Sequence, residues 1–262
     1  MQTGLHITLA AERLFTLWGI PVTNTLVTTW LIMAGLLIAA FFIGRSLKVT
    51  PGRVQSAVEM GFEYVYGYVK DTLGSEKLAK RYFPLIATIF LFILSANLLD
   101  FFPIFGTFVV SPAGEPVPLF HALSADLNTT LTLAIISFLV VEFSGVLTLG
   151  VLKYGSKFVN FRGGLMGFMI GLLEIIGNLA RLVSLSFRLF GAIFAGETLL
   201  LVIVYFAPYV APVPLMAFEL FIGFLQAAIF AILTLAYIKL AVEEPHGSSS
   251  HAAHTPEVQG AH

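Results

Sequence analysis

The sequence predicts an all-α polytopic membrane protein with about five to six membrane helices, including a long oblique hairpin embedded in the membrane. Of 262 residues, 58% are hydrophobic and only 11% are charged, against about 25% charged residues in an ordinary soluble domain. The mean hydropathy is +0.92, and several segments are long enough to cross a bilayer with little or no charge. This composition excludes a soluble fold and indicates that lipid is the solvent.

Charge and motif content exclude several functional classes. The chain has 14 Lys plus Arg and 15 Asp plus Glu, a formal net charge of -1, so we expect no nucleic-acid partner. It has no cysteine, which excludes disulfides and thiolate metal ligands. No phosphate loop and no H-E-x-x-H or G-x-S-x-G motif occurs in the sequence, so we expect neither nucleotide hydrolysis nor protease activity, and no cofactor.

The first two spans are separated by a charged loop. Residues 1–24 are too mixed for a signal peptide and are expected to lie on the outer surface. Spans follow at 25–44 and 82–100, each long enough for a hydrocarbon layer about 30 Å thick. Asn97 and Asp100 close the second span at the outer surface.

The intervening loop, residues 45–81, is predicted to be cytoplasmic and interfacial. Pro51 suits the first turn of a helix, and apolar residues recur after it at helical spacing. These residues are Val54, Val58, Phe62, Val65 and Val69. We therefore expect an amphipathic helix along the inner interface.

Two further spans each carry one acid. The third, 127–152, contains Glu142, which is either a member of an ion pathway or a packing partner. Ser124 and Asp126 precede this span, and a plain helix N-cap is the alternative to a pathway role for them. The last span, 215–240, contains Glu219, and the polar residues 243–262 predict a disordered tail. Its four histidines could bind metal, but we expect a solvated tail and no metal site.

Residues 163–207 are too long for one upright crossing. As one helix they would extend about 67 Å, so the segment either folds back within the membrane or lies strongly tilted. We expect two long oblique helices that form the membrane-embedded hairpin. Gly163, Gly164, Gly167 and Gly171 have the small-xxx-small spacing that permits close helix packing.

The distribution of cations predicts the orientation. Ten of the fourteen Lys and Arg fall in two loops, which should therefore be cytoplasmic because short basic loops stay inside. They are Arg45, Lys48, Arg53, Lys70, Lys77, Lys80, Arg81, Lys153, Lys157 and Arg162. The amino terminus is then outside and the carboxy terminus cytoplasmic.

Ionisable residues inside the long apolar segment indicate an ion pathway, because each costs at least about 2.5 kcal/mol at the membrane centre. Glu174, Arg181 and Arg188 are spaced by seven and return to nearly the same helix face. For Glu174 and Arg181 a structural pair near the inner interface is the alternative. Arg188 lies too deep for that, and its guanidinium does not deprotonate, so it must face a carboxylate or a wet cavity.

Two acids complete the pattern of buried charge. Glu197 follows Arg188 by nine residues, hence about 180° around the helix and about 13.5 Å along it. The two side chains therefore cannot pair directly. Glu219 and Gln226 are seven residues apart and present an acid and an amide on one face of the last span.

The stretches SLSFRLFGAIFAGETLL and FLQAAIFAILTLAYIKLAVEE resemble subunit a of the membrane sector of F-type ATP synthase. HITLAAERLF, TPGRVQSAVEM, FPLIATIFLFILSANLLDFFP and SADLNTTLTLA agree in order, so the resemblance covers about residues 5–245. It implies a non-catalytic stator subunit that provides two proton half-channels to a ring of c subunits and couples proton translocation to ring rotation and ATP synthesis. The implied partners are the c-ring, b-type peripheral stalk subunits and the rest of the complex in a lipid bilayer. No transit peptide is evident, so we expect a bacterial inner (plasma) membrane.

The resemblance also assigns roles to residues. It implies that Arg188 faces the rotating ring and divides two paths. The outer half-channel is expected to contain Glu197, Glu219, Gln226, Asp126 and Asn97, and the inner one Glu174 and Ser184. Two positions depart from many members: Ala192 replaces an asparagine, and Glu219 stands where some members carry histidine. The outer path is therefore expected to depend on two carboxylates.

Two other functions fit the same buried charges. A self-contained proton-coupled transporter or channel would carry protons without a rotor, although the absence of an internal repeat counts against it. A purely structural membrane scaffold would tolerate replacement of Arg188 by alanine.

Overall fold

The computed structural model describes residues 13–17, 20–101, 109–110, 117–119, 122–151, 154–155 and 164–243. Within these ranges six helices have defined bounds. They are α1 Asn24–Ser46, α2 Arg53–Leu73, α3 Glu76–Phe101, α4 Leu127–Leu149, α5 Gly164–Phe206 and α6 Pro212–Val242. All but α2 are long and apolar enough to cross a membrane, which confirms the all-α polytopic fold.

Two short antiparallel hairpins accompany the helices. Strand β1 (Arg13–Leu17) pairs with β2 (Ile20–Thr23), directly before α1. Strand β3 (Val109–Val110) pairs with β4 (Val117–Pro118) between α3 and α4. The sequence analysis did not predict these strands, because pairs this short carry little periodic signal.

Residues 163–207 do not form the predicted hairpin. Residues 164–206 form the single helix α5 of 43 residues, about 65 Å long. No proline interrupts residues 164–206, and the glycines at the start are tolerated within the helix. The chain turns only at residues 207–211, after which α6 packs back against α5. Since α5 exceeds the hydrocarbon thickness about twofold, it crosses at a strong tilt or extends past the layer.

Helix α6 is the centre of the bundle. It contacts α2, α3, α4 and α5, and its buried residues recur every three or four positions, as a helix packed on several sides requires. They include Gln226, Ala227, Phe230, Ala231, Thr234, Leu235, Ile238 and Ala241. Most are small or aliphatic, which permits close approach of the surrounding helices.

The amphipathic helix predicted in the 45–81 loop corresponds to α2. It begins at Arg53 after the N-cap Gly52, so Pro51 lies before the helix and not in its first turn as predicted. Val69 is fully buried against the bundle, whereas Val54 is 80% exposed. The carboxy-terminal half of α2 therefore packs on the described part of the protein, whereas the apolar side chains of its other half are exposed.

Helix α1 is anchored only at its amino-terminal end. Thr23 caps it by accepting a hydrogen bond from Leu26 N at 3.4 Å, and its buried residues are Asn24, Thr25, Thr28 and Ile32. The predicted tail beyond Glu243, residues 1–12, and the cations Lys153, Lys157 and Arg162 lie outside the described residues.

Gly145 on α4 provides a test of the packing. A Cβ at this position would lie 2.7 Å from Tyr154 Cζ, so we expect Gly145→Ala to displace the ring and destabilise the chain by about 1–3 kcal/mol. A Cβ at Gly35 on α1 meets nothing within 4 Å, so the control Gly35→Ala should not destabilise, since alanine favours a helix. Thermal unfolding of the purified chain in detergent measures both; equal melting temperatures for the two variants would contradict this packing.

Candidate functional site

A cavity of about 310 Å³ lies between α3, α5 and α6, many times the volume that one water needs. It is formed by the carboxy-terminal ends of α3 and α5 and the amino-terminal half of α6, the ends predicted to be outside. Its lining is Asn97, Asp100, Ile193, Glu197, Leu200, Leu201, Glu219, Leu220 and Gly223. Three carboxylates therefore share one cavity in an otherwise apolar bundle.

Two glycines make room for the polar side chains of this cavity. A Cβ on Gly196 would lie 2.9 Å from Glu219 Oε1, and a Cβ on Gly223 would lie 3.0 Å from Asn97 Cβ. The absence of a side chain at Gly196 lets Glu219 of α6 reach the backbone of α5, one residue before Glu197. The structure thus brings together the two acids predicted for the outer path.

Asn97 links three segments of the chain at the wall of the cavity. Its Nδ2 donates to Gly223 O at 2.8 Å, and Ser124 Oγ donates to Asn97 Oδ1 at 2.6 Å. Both side chains are buried. Loss of either hydrogen bond would be costly, because it leaves a buried polar group without its partner. Asn97 therefore fixes α3 against α6 and the segment that precedes α4.

Several buried polar atoms at this end have no hydrogen-bond partner within the described residues. They are Asp100 Oδ2, Thr198 Oγ1 and Gln226 Nε2. Because buried polar atoms in proteins are nearly always paired, we expect water to enter here. Gln226 lies two helical turns beyond Glu219 on α6, so the polar groups extend from the cavity toward the membrane interior.

The sequence analysis did not assign Asp100 to the site. It placed this residue only at the end of a span, although Asp100 lies three residues after Asn97, a spacing that puts both on one helix face. This spacing is visible in the sequence and would have indicated Asp100 as a candidate site residue.

Arg188 lies on the side of α5 that faces away from the cavity. Its side chain is exposed, as is Ser184 four residues earlier, whereas the neighbouring Leu185 and Leu189 are buried. Since α5 is continuous, Glu197 sits about 180° around from Arg188 and faces the cavity. The guanidinium therefore leaves the bundle while the carboxylate stays inside it.

The surface around Arg188 is apolar. Phe187 is 55% exposed, and the other large exposed side chains on this side of α5 are also apolar. They include Ile170, Leu173, Leu199 and Val202. No carboxylate of the described residues forms an ion pair with Arg188. A cation on such a surface would lie in hydrocarbon at a cost of several kcal/mol, which a partner carboxylate would remove.

Asp126 occupies the N-cap of α4. Its carboxylate accepts hydrogen bonds from Asn128 N at 3.0 Å, Thr129 Oγ1 at 3.0 Å and Thr25 Oγ1 at 3.3 Å. The side chain is buried and is absent from the residues that line the cavity. Asp126 is thus the N-cap of α4, and its hydrogen bond with Thr25 joins α1 to α4. Ser124 donates to Asn97 and is not the cap.

The two residues predicted for the inner path, Glu174 and Ser184, lie ten residues apart on α5. Glu174 is half-buried near the start of α5, and Ser184 lies on the exposed face with Arg188. Among the described residues Glu174 and Arg181 form no ion pair. Arg181 Nη1 instead donates to Asn178 Oδ1 at 2.8 Å, and its guanidinium lies 5.5 Å from the ring centre of Tyr237.

Comparisons with known proteins show which family this chain is similar to. The family described as ATP synthase A chain matches residues 26–239. The chain is 39% identical to ATP synthase subunit a of Campylobacter jejuni over 213 residues, which are 80% of this chain and 86% of that protein. It is 35% identical to ATP synthase subunit a of Moorella thermoacetica, over 86% of this chain and 94% of that protein. It is 33% identical to "ATP synthase subunit a, sodium ion specific" of Propionigenium modestum, over 88% of this chain and 78% of that protein.

Cysteine labelling tests whether the cavity holds water. The sequence has no native cysteine, so a single introduced thiol reports its own surroundings. Leu220→Cys, which lines the cavity, should react about tenfold or more faster with a membrane-impermeant thiol reagent than Leu199→Cys, because only a thiol in contact with water ionises readily. Leu199 is 47% exposed on the apolar surface, and equal rates for the two variants would mean a dry cavity. Adding the reagent to intact cells or to inverted vesicles identifies the side on which the cavity opens.

Proposed function

The chain belongs to the ATP synthase A chain family, the a subunit of the membrane (Fo) sector, and we propose that it is the stator that supplies two proton half-channels to a rotating c-ring. The observation that carries this proposal is the position of Arg188. A guanidinium exposed on an apolar helix face, with no carboxylate of the described residues beside it, fits a surface completed by a partner that carries an acid in the membrane.

The outer half-channel is proposed to run through the cavity between α3, α5 and α6. Protons enter from outside past Asp100 and Glu219, pass Glu197, and continue toward Gln226. The volume of about 310 Å³ and the buried unpaired polar atoms support water along this route. Asn97 maintains the wall through its two hydrogen bonds. Asp126 is the weakest member of the proposed path, because three donors already engage its carboxylate.

Ring rotation follows from the cost of charge in lipid. A proton from the outer path neutralises a ring carboxylate, which can then move into lipid, where an ionised acid would pay a large desolvation cost. On return to Arg188, attraction of about 4 kcal/mol for unit charges 4 Å apart at an effective dielectric constant near 20 favours the ionised form. The proton leaves inward past Ser184 and Glu174. The fixed cation of Arg188 repels protons and so separates the two paths.

Sidedness and partners complete the proposal. We place the chain in a bacterial plasma membrane with its amino terminus outside and its carboxy terminus in the cytoplasm, as the basic loops require. The c-ring is expected on the exposed side of α5 and α6, and b-type stalk subunits hold the chain stationary. The Propionigenium relative is named as sodium ion specific, so pumping by this chain is best measured with and without Na⁺.

A self-contained transporter remains the competing function. It would carry protons through the isolated chain, whereas a stator needs the ring. The outward position of Arg188 favours the stator, because a pathway enclosed by one chain would direct its fixed cation inward. Proton flux through liposomes containing only the purified chain would support the transporter.

Replacement of Arg188 tests the stator proposal. Arg188→Ala should abolish ATP-driven proton pumping by the intact complex in inverted vesicles. Arg188→Lys should fail as well, since a buried ammonium can lose its proton and a guanidinium does not. Leu199→Ala, on the same exposed side of α5, is the control and should affect pumping far less. Undiminished pumping by either Arg188 variant contradicts the proposal.

Glu219→Gln tests the outer path. The amide keeps the size of the side chain beside Gly196 but cannot take up a proton, so pumping and ATP synthesis should fall about tenfold or more, within the range typical of losing a proton-transfer group. Glu63→Gln, on the exposed surface of α2, is the control and should behave as wild type. Wild-type rates at every external pH in Glu219→Gln would remove Glu219 from the path.

A further inference from the structure

A second polar cluster lies at the other end of the bundle, away from the outer cavity. Glu142 of α4 accepts hydrogen bonds from Tyr154 Oη at 2.9 Å and from Asn178 Nδ2 at 3.2 Å. Asn178 Oδ1 in turn accepts from Arg181 Nη1 at 2.8 Å, and Arg181 rests on the ring of Tyr237. The cluster thus joins helices α4, α5 and α6 to Tyr154, which lies beyond the end of α4.

The cluster is a charge pair bridged by an amide. Asn178 donates to the carboxylate with one end of its side chain and accepts from the guanidinium with the other, so the Glu142 anion and the Arg181 cation are linked without touching. Burial and the hydrogen bond to Glu142 raise the pKa of Tyr154, which keeps its phenol a donor at ordinary pH. Removing one charge of such a pair leaves the other uncompensated, and this costs more than the pair contributes.

A small cavity adjoins the same groups. Its volume is about 20 Å³, and Ser137, Glu142, Asn178, Arg181 and Tyr237 contribute to its lining. Ser137 Oγ is buried without a hydrogen-bond partner among the described residues. The space suffices for about one water molecule, which would satisfy this hydroxyl and add to the network.

The position of Arg181 relative to Arg188 indicates what the cluster does. The two arginines are seven residues apart on one continuous helix, so they share nearly the same face about 10.5 Å apart. Arg188 is exposed, yet Arg181 is partly buried, because Asn178 and Tyr237 hold its guanidinium. Without them the flexible side chain could reach the same exposed face as Arg188.

We propose that Glu142 and Asn178 are positioning residues that retain the Arg181 cation inside the bundle, so that Arg188 alone presents a positive charge on the exposed face of α5. This inference rests on the proposed stator function, since a lone cation matters only where a partner carboxylate approaches. A second cation on that face would attract the ring carboxylate away from Arg188 and weaken the release of its proton inward.

A charge-neutral double variant provides the test. Glu142→Gln frees the Arg181 cation and should lower ATP-driven proton pumping of the intact complex about fivefold, within the range for residues of one polar network. Adding Arg181→Gln removes that cation, so the neutral double variant should pump within about twofold of wild type. Asn178→Leu, which removes the bridge without altering charge, should resemble Glu142→Gln.

The controls distinguish this inference from the proposed function. Glu63→Gln should pump as wild type, and immunoblots should show equal amounts of assembled subunit, so that folding defects are recognised. A double variant no better than Glu142→Gln would mean that Glu142 acts by itself, for instance as a proton carrier, and would overturn the inference. Wild-type pumping in both Glu142→Gln and Asn178→Leu would overturn it too. Retained pumping in Arg188→Ala, measured in the same assay, would instead overturn the stator function.

Discussion

The architecture depends on the cost of placing charge in hydrocarbon. The bundle meets this cost in two ways. Asp100, Glu197 and Glu219 are gathered into one cavity large enough for water, whereas Arg188 is left on an apolar surface where the chain itself offers no counter-ion among the described residues. The first arrangement is complete within the chain. In the second, the described residues leave Arg188 without a counter-ion, and the proposed function rests on this observation.

Close packing around α6 makes the polar arrangements possible. Gly223 and Gly196 let Asn97 and Glu219 approach backbone that any side chain would cover. The hydrogen bond from Asn97 to Gly223 O then satisfies the buried amide of Asn97. On the carboxy-terminal side of Gly223, α6 buries apolar residues such as Phe230, Leu235 and Ile238. The cavity is therefore supported by a tightly packed core and does not reflect loose packing.

The sequence predicted features that depend on local pattern and missed those that depend on contacts between helices. The charge-free run at 25–44 and the apolar spacing in the 45–81 loop indicated α1 and α2, because both signals are contained within one element. The split of 163–207 into two helices was wrong, since length alone does not break a helix and no proline interrupts the segment. The bridge from Glu142 to Arg181 through Asn178 could not be predicted, because it requires knowing which faces of α4 and α5 meet.

The continuity of α5 links the two halves of the proposed pathway. In a helical hairpin, a turn between Arg188 and Glu197 would let each residue face its own direction independently. In one unbroken helix their phase is fixed at about 180°, so any rotation that turns Arg188 toward a partner also turns Glu197 toward the inside of the bundle. Packing of Leu185, Leu189 and Ile193 against the core sets that rotation. The same buried stripe therefore determines which side of α5 displays the cation and which side places Glu197 at the cavity, and neither position can shift without the other.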